Sequence, residues 1–354
     1  MAEPQFENIL IVRTDRIGDV VLALPLIDAL RSAYPSARIS FLIRSYTKAL
    51  VEGHEHVSTI LTYDQSNGLK SFWNVLSEIR KEKFDLAIVA YPRFRIAFLL
   101  WLAGIPARVG TGYRWYSFLL NRRVYEHRKS GAKHESELNL SLLRVLGDWD
   151  FSALRPRISI SQQAKRAAVA ERERLGLRVD ETFAILHPGS GGSARDWSPV
   201  NFGKLAHELN KEGMRVVVTG VESEENLVNE VVKLAGDGAL VSLGRLNLQE
   251  LAAFIESASV FVSNSTGPLH IAAAVGTPVV GFYPPIPACR PERWGPVTDA
   301  KAVFVPDRQR CERCKGGACQ GNECMDQIEV PHVMDAIYAL LKSRTTNVKT
   351  TTAW

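Results

Sequence analysis

The sequence predicts an α/β protein made of two doubly wound parallel sheets. Short β-branched segments alternate with helical patterns along the chain, which is typical of parallel strands joined by crossover helices. The pattern restarts in the middle, where a new strand, glycine-rich loop and helix begin at Phe183. The length of 354 residues fits about two domains of ~150 residues each. Two such halves imply a cleft between domains, where ligands usually bind.

Seven segments have the apolar, β-branched character of buried strands. They are residues 9–12, 38–43, 86–90, 184–187, 215–219, 260–263 and 278–282. Apolar residues at helical spacing lie between them, for example Leu26, Ala29 and Leu30. Residues 161–176 predict a surface helix that ends at Gly176, so we expect the domain boundary within residues 155–180.

Composition and charge exclude several classes of protein. Apolar residues make up 46% and charged residues 23%, so disorder is excluded as the main state. The net charge of +5 is too small, as a total, to indicate nucleic-acid binding. The start of the chain has no secretory pattern, and the longest uncharged apolar run, 96–107, has twelve residues where a span needs ~20. We therefore expect a cytoplasmic protein that touches a membrane without crossing it.

The loop at residues 13–20 follows the first strand and opens a helical segment. This end of a strand is a favoured ligand position in an open sheet. Gly18 permits a tight backbone, and Asp19 lies near the helix start, where the helix dipole favours an ionised carboxylate. Such a carboxylate can take a proton from a hydroxyl nucleophile. The alternative is that Asp19 serves only as an N-cap. The loop lacks the G-x-G-x-x-G pattern of dinucleotide-binding loops.

Residues 91–133 form a basic segment that is also rich in aromatic residues. Nine arginines and lysines against Glu126 alone give +8, more than the whole chain's +5. Arginines among aromatic residues suit phosphates, carboxylates, a membrane surface or nucleic acid. The alternative is a solvated basic face, but the scarcity of acidic residues favours a binding surface. Its candidate binding residues are Arg93, Arg95, Arg114, Arg122 and Arg123.

A glycine- and serine-rich loop at residues 187–197 follows the strand at 184–187. His187, Gly189 and Ser190 open this loop, and its three glycines and two serines can turn backbone N–H groups toward a phosphate. Arg195 could neutralise charge that develops on a diphosphate. The loop is not a Walker loop, because it lacks Gly-Lys-Ser/Thr. The alternative is a mobile turn between strand and helix.

A second polar loop follows the strand at 260–263 and precedes an alanine-rich helix. Its candidate residues are Ser265, Thr266, Gly267 and His270. Free N–H groups at this helix start could hold an anion without a metal, whereas the alternative is an ordinary capped helix. Glu224 or Glu225, just past the strand at 215–219, could bind ribose hydroxyls, or could simply be acidic residues of a first turn.

Four of the five cysteines are clustered near the C-terminus, at Cys311, Cys314, Cys319 and Cys324. In a reducing compartment, disulfides are not the first interpretation of such a cluster. Four thiolates at this spacing could hold a structural zinc ion or an Fe–S cluster. Free thiols and redox disulfides are the alternatives.

Together these motifs resemble glycosyltransferase family 9, the heptosyltransferases of lipopolysaccharide core assembly. The resemblance covers nearly the whole chain and is carried by residues 9–20, 187–190 and 265–278. It implies a GT-B fold, in which two Rossmann-like domains face each other across a cleft. It also implies an inverting mechanism without a catalytic metal and a nucleotide-sugar donor that binds mainly to the C-terminal half.

Site roles follow from the resemblance, position by position. Asp19 matches the general base, and Arg195 matches a basic residue on the donor phosphates. Ser265 is a departure, because many family members carry there an aspartate that helps to hold the donor. Thr266 and Gly267 match the phosphate site, and Glu224 or Glu225 matches the ribose carboxylate. The other expected donor contacts are Gly18, His187, Gly189, Ser190, Ser265 and His270.

The resemblance also assigns roles to the domains. Residues 1–160 would bind the acceptor, and residues 161–330 would bind the nucleotide sugar. Residues 331–343 would form a helix that packs back toward the N-terminal domain, and residues 344–354 would form a flexible tail. We expect heptose transfer from ADP-heptose to an acidic, lipid-linked saccharide of the lipopolysaccharide core, held by the basic segment. No cofactor is expected for catalysis and no nucleic-acid partner. The protein would be a monomer at the inner face of the inner membrane.

Two other functions stay open on the sequence alone. One is a sugar-nucleotide epimerase of the same fold. The other is a non-catalytic binding or assembly protein that uses the basic segment and the cysteine cluster.

Overall fold

The protein forms two compact units, Met1–Ser159 and Ile160–Trp354. The structure is a computed structural model that describes residues 5–64, 68–126, 133–178, 180–192, 195–307 and 324–351. Each unit contains a six-stranded sheet in which every strand pair is parallel. The predicted α/β class with two doubly wound parallel sheets is confirmed.

In the first unit, the sheet has the spatial order β3-β2-β1-β4-β5-β6. Its strands are β1 (Asn8–Val12), β2 (Arg38–Ile43), β3 (Val57–Thr62), β4 (Leu86–Val89), β5 (Ala107–Thr111) and β6 (Arg122–Val124). Its helices are α1 (Ile17–Val21), α2 (Pro25–Ala33), α3 (Gly68–Glu82), α4 (Phe94–Leu102) and α5 (Glu135–Leu140). The winding direction reverses between β1 and β4. In open parallel sheets, ligands bind outside the carboxyl ends of the strands at this switch point.

The second unit repeats this plan, with the order β12-β11-β10-β7-β8-β9. Its strands are β7 (Phe183–His187), β8 (Arg215–Gly220), β9 (Ala239–Leu243), β10 (Val260–Asn264), β11 (Val279–Phe282) and β12 (Lys301–Phe304). Its helices are α6 (Gln162–Arg174), α7 (Pro199–Lys211), α8 (Glu225–Ala235), α9 (Leu248–Glu256), α10 (Gly267–Ala274), α11 (Pro291–Trp294) and α12 (Val330–Thr351). The switch point lies between β7 and β10.

All seven sequence-predicted strands are present, each within one residue of the predicted ends. They form the inner part of the two sheets, where parallel strands are covered on both faces and are therefore almost uniformly apolar. The sequence analysis missed β3, β5, β6, β9 and β12. The helix predicted at 161–176 is confirmed as α6, which Ser161 caps by accepting a hydrogen bond from the N–H of Ala164 at 3.1 Å. Gly176 then adopts a positive φ of 70°.

Helix α12 packs against α7, β11 and β12 of its own unit. Val333 and Ile337 enter the core beneath the second sheet. The expected packing of residues 331–343 toward the N-terminal domain stays a prediction. Within the part of the chain that the structure describes, no helix is long and apolar enough to cross a membrane.

Candidate active site

A cluster of buried charges surrounds Arg13, the first residue after β1. The Arg13 side chain is only 2% exposed. Its Nε donates a hydrogen bond to Asp15 at 2.8 Å, and its Nη1 donates to Glu135 at 3.2 Å. Its Nη2 donates to Asp19. One guanidinium therefore holds three carboxylates, which come from the loop after β1, from α1 and from α5.

Asp19 lies in the first turn of α1, with Gly18 immediately before it. The N-cap position of this helix is Arg16, and no side chain caps it. Asp19 is therefore not the N-cap, and the capping alternative is wrong. Its carboxylate is held by Arg13 and keeps an exposed fraction of 17%. A proton acceptor needs both a fixed orientation and access to the group that it deprotonates.

The cluster also shifts the pKa of its members. Burial raises the pKa of Asp15 to about 7, against the opposing effect of Arg13. Burial alone would lower the pKa of Arg13, but the three carboxylates raise it above its ordinary value. Arg13 therefore stays charged, and Asp15 can take up a proton near neutral pH. The sequence analysis assigned no role to Arg13, Asp15 or Glu135.

The basic-segment arginines lie on three different elements of the first unit. Arg93 is the N-cap residue of α4 and Arg95 lies in its first turn, whereas Arg114 lies in the loop after β5. These three follow the carboxyl ends of β4 and β5, at the same edge of the sheet as Asp19. Arg122 and Arg123 instead lie within the edge strand β6.

Local contacts hold some of these arginines. The guanidinium of Arg93 lies 4.7 Å from the ring centroid of Tyr91 and donates a hydrogen bond to its hydroxyl. Arg123 donates from Nε to the carbonyl of Leu120 at 2.8 Å. Of the nine basic residues in the segment, Arg128 and Lys129 lie outside the described residues.

In the second unit, the loop after β7 is anchored to β10. Asn264, the last residue of β10, is completely buried. Its side chain donates to the carbonyl of Pro188 at 2.7 Å and accepts from the N–H of Trp197 at 2.7 Å. Both ends of this loop are thus tied to Asn264 across the switch point. The sequence analysis did not single out Asn264.

Glu224 lies directly against Gly189. A Cβ atom at Gly189 would come within 2.0 Å of Oε1 of Glu224, so this close approach requires glycine. Glu224 also accepts a hydrogen bond from the N–H of Val221 at 3.1 Å. Glu225 is exposed at the start of α8. Of the two candidate ribose carboxylates, the structure therefore brings Glu224 to the loop after β7.

The end of β7 and the loop after it carry two titratable groups with shifted pKa values. Burial lowers the pKa of His187 to about 4, although Glu224 opposes this, so His187 is neutral at pH 7. Its Nδ1 lies 2.9 Å from Oγ1 of Thr219. Burial raises the pKa of Asp196 to about 6, against a hydrogen bond from Ser190. Arg195 directly precedes this aspartate and is half-buried.

Helix α10 starts beside the same switch point, directly after β10. Its N-cap residue is Thr266, whose side chain makes no capping hydrogen bond, and its first turn has no acidic residue. The alternative of an ordinary side-chain-capped helix is therefore not supported. Gly267 begins the helix, and the backbone of Ser265 donates to the carbonyl of Phe282 at 3.0 Å. His270 is buried in the second turn.

The cysteine cluster lies mostly outside the described residues. This applies to Cys311, Cys314 and Cys319, whereas Cys324 is buried in the core of the second unit. In the described ranges, no group of three or more His, Cys, Asp or Glu side chains could hold a metal ion. The structure therefore gives no support for the zinc or Fe–S site, which stays a prediction.

The architecture is that of a two-domain GT-B protein, with candidate ligand residues at the switch point of each sheet. The chain belongs to glycosyltransferase family 9 (heptosyltransferase), whose family model matches residues 72–324. The resemblance noted in the sequence is confirmed, and the protein is a glycosyltransferase.

Individual relatives agree with this assignment. A Haemophilus influenzae protein named only as a glycosyltransferase is 29% identical to this chain over 300 residues. The match covers 83% of this chain and 87% of the relative. The crystal structure of a family 9 glycosyltransferase from Veillonella parvula has a TM-score of 0.83 at 22% identity and covers 97% of this chain and 99% of its own. The structure of E. coli ADP-heptose lps heptosyltransferase II has a TM-score of 0.78 at 20% identity, with coverage of 96% and 99%. The two structural similarities show the GT-B fold.

Proposed function

We propose that this chain is an inverting heptosyltransferase that moves heptose from ADP-heptose to a lipopolysaccharide-core-type acceptor without a catalytic metal. The observation that carries the proposal is the orientation of the Asp19 carboxylate by Arg13 beside the switch point of the first sheet. The names of relatives support the choice of sugar, since they include lipopolysaccharide heptosyltransferases 2 and 3 of E. coli.

In this proposal Asp19 is the general base. It accepts the proton of an acceptor hydroxyl while that oxygen forms a bond to the anomeric carbon of the donor sugar. The bond from this carbon to the diphosphate oxygen breaks on the opposite face, so the configuration inverts. In this proposal Arg13 is a positioning residue, because it is buried and its hydrogen bond orients the Asp19 carboxylate.

The leaving nucleoside diphosphate would be held by groups of the second unit. Arg195 would neutralise charge on the phosphates, and the backbone N–H groups at the start of α10, after Thr266 and Gly267, would hold them as a helix N-terminus holds an anion. Glu224 would bind the ribose hydroxyls. His187, Gly189, Ser190, Ser265 and His270 would shape the same donor site, and Gly18 would also contact the donor.

We further propose that the arginines of the basic segment hold an acidic, lipid-linked saccharide acceptor. The segment's charge of +8 supports this, because anionic sugars and phosphates bind guanidinium groups strongly. The enzyme would then work as a monomer at the cytoplasmic face of the inner membrane. Membership of a transferase family favours transfer over the epimerase and non-catalytic alternatives.

Replacement of Asp19 tests the proposed function. Asp19→Ala and Asp19→Asn should each lower kcat by about 10²–10⁴, the usual effect of losing a general base. Donor binding should persist, and the melting temperature should change little, because two carboxylates still pair with Arg13. The assay is nucleotide release from ADP-heptose with a core acceptor.

Asp148→Asn is the matched control, because Asp148 is an exposed aspartate of the same unit. It should keep wild-type turnover. Full turnover in Asp19→Ala would contradict the proposed base.

A further inference from the structure

The first unit carries a row of aromatic side chains that the proposed transfer reaction does not use. Phe94, Phe98 and Trp101 lie along α4, and Trp115 lies in the loop after β5. Neighbouring rings stack with centroid distances of 5.9 Å for Trp101–Phe98, 5.7 Å for Phe98–Phe94 and 4.9 Å for Phe94–Trp115. We call these four residues the aromatic ladder.

Three of the four rings of the aromatic ladder are exposed. Trp115 is 74% exposed, Trp101 49% and Phe94 42%, whereas Phe98 is half-buried, and nearby Phe118 is 64% exposed. The opposite side of α4 is also apolar, because Ile96, Leu99 and Leu100 are buried in the core of the unit. Helix α4 is thus apolar on both sides. On the ladder side Phe98 stacks on Phe72 with a centroid distance of 6.3 Å, but Phe94 and Trp101 keep large exposed areas. Contiguous apolar surface of this kind marks an interaction site rather than a scattered surface residue.

Positive charge accompanies the aromatic ladder. Arg93 and Arg95 lie at the start of α4, and Arg114 directly precedes Trp115. Glu126, the only acidic residue of the basic segment, is already paired with Lys133 at 2.8 Å. The surface therefore combines exposed tryptophan and phenylalanine with unbalanced arginine charge. That combination complements the headgroup region of an anionic bilayer, where aromatic rings lie at the interface and basic residues meet lipid phosphates.

We propose that the aromatic ladder, together with Phe118, is the membrane-docking surface of this protein and inserts into the interfacial region of an anionic lipid bilayer. This inference rests on the membrane location in the proposed function and deepens it by naming the surface. Docking there would bring the acceptor-binding unit to the plane in which a lipid-linked acceptor lies.

Co-sedimentation of the full chain with lipid vesicles tests this surface, without donor or acceptor. The wild type should bind vesicles of phosphatidylcholine with phosphatidylglycerol, and should bind less at high salt. Trp115→Ala should weaken vesicle binding at least about fivefold, because the variant lacks the indole ring whose burial in the bilayer interface favours binding. Trp115→Phe should retain most of the binding. Tyr338→Ala is the matched control, since Tyr338 is an exposed aromatic residue on α12 of the other unit.

Three results would overturn the proposal. The first is that the wild type does not bind vesicles, and the second is that the wild type and Trp115→Ala bind them equally. The third is that the wild type is a dimer in solution and Trp115→Ala is a monomer. The last result would assign the aromatic ladder to a second copy of the chain. Wild-type turnover on a water-soluble, deacylated core acceptor is measured separately, so a failed transferase assay and a failed vesicle assay are distinguishable.

Discussion

At the scale of single residues, the chemistry of the first unit depends on an imbalance of charge. One buried guanidinium, that of Arg13, faces three carboxylates. Charges are costly to bury unless they are paired or neutralised. Asp15 relieves the imbalance because burial raises its pKa to about 7, so it holds a proton over part of the physiological pH range. When Asp15 is protonated, fewer negative charges compete with Asp19 for the guanidinium of Arg13.

The raised pKa of Asp15 predicts a pH-dependent stability. In the unfolded chain its pKa is near 3.8, so between that value and about 7 the folded protein binds more protons than the unfolded chain. The contribution of Asp15 to the free energy of unfolding therefore falls as the pH rises through this range. Asp15→Asn removes this dependence. Relative to the wild type, the variant should gain more than about 1 kcal/mol between pH 5 and pH 8, measured by urea unfolding.

The exposed Asp148 provides the comparison, since Asp148→Asn should follow the wild-type stability at both pH values. Parallel stability curves for Asp15→Asn and the wild type would show that Asp15 is ionised throughout this range.

At the scale of elements, the second unit joins two loops through one strand end. Asn264 ends β10, fastens the loop after β7 and lies two residues before the N-cap of α10. The side chain thus links the glycine-rich loop to the helix start proposed to bind the phosphates. The anchor at Pro188 lies next to Gly189, whose missing Cβ permits its close approach to Glu224.

Asn264→Ala should therefore affect both stability and donor binding. It leaves the buried N–H of Trp197 and carbonyl of Pro188 without this partner, which should lower the free energy of unfolding by about 2–3 kcal/mol. The donor KM should rise more than the acceptor KM. Asn201→Ala is the control, because Asn201 makes an exposed contact with Asp326 in the same unit and should change either quantity little. A donor KM equal to that of the wild type would contradict the anchoring role.

At the scale of the whole molecule, we propose that the two units bind different substrates. The excess positive charge lies in the first unit, whereas the anchored loop and α10 lie in the second. The division predicts that substitutions in one unit affect one substrate. Such a split of KM values is the kinetic evidence that separates acceptor binding from donor binding.

The variant Arg122→Ala/Arg123→Ala tests this division. It should raise the acceptor KM about three- to tenfold and leave the donor KM nearly unchanged, because exposed charge-assisted hydrogen bonds are screened and contribute less than buried ones. Arg166→Ala/Arg178→Ala, two exposed arginines of the second unit, should change neither KM. Equal losses for both substrates would mean that β6 shapes the whole site, and no loss would identify a solvated basic face.

The sequence by itself determined the fold class, seven of the eight inner strands and the family, and among the inner strands it missed only β5. Inner strands of a parallel sheet are covered on both faces, so local composition is enough to identify them. The five missed strands include all four sheet edges, β3, β6, β9 and β12. Their residues are mixed in polarity because an edge strand is only partly covered, as the Arg-Arg-Val of β6 illustrates.

Only the tertiary structure decided how the sites are held. Arg13 and Glu135 are 122 residues apart in sequence, and Asn264 and Pro188 are 76 apart. No local pattern encodes such pairs, because the first forms only when α5 lies beside the end of β1, and the second only when the ends of β7 and β10 lie side by side. Asp19 could thus be identified as a candidate base from its motif. The guanidinium that orients Asp19, and the neighbouring Asp15 whose pKa burial raises, became visible only in the folded chain.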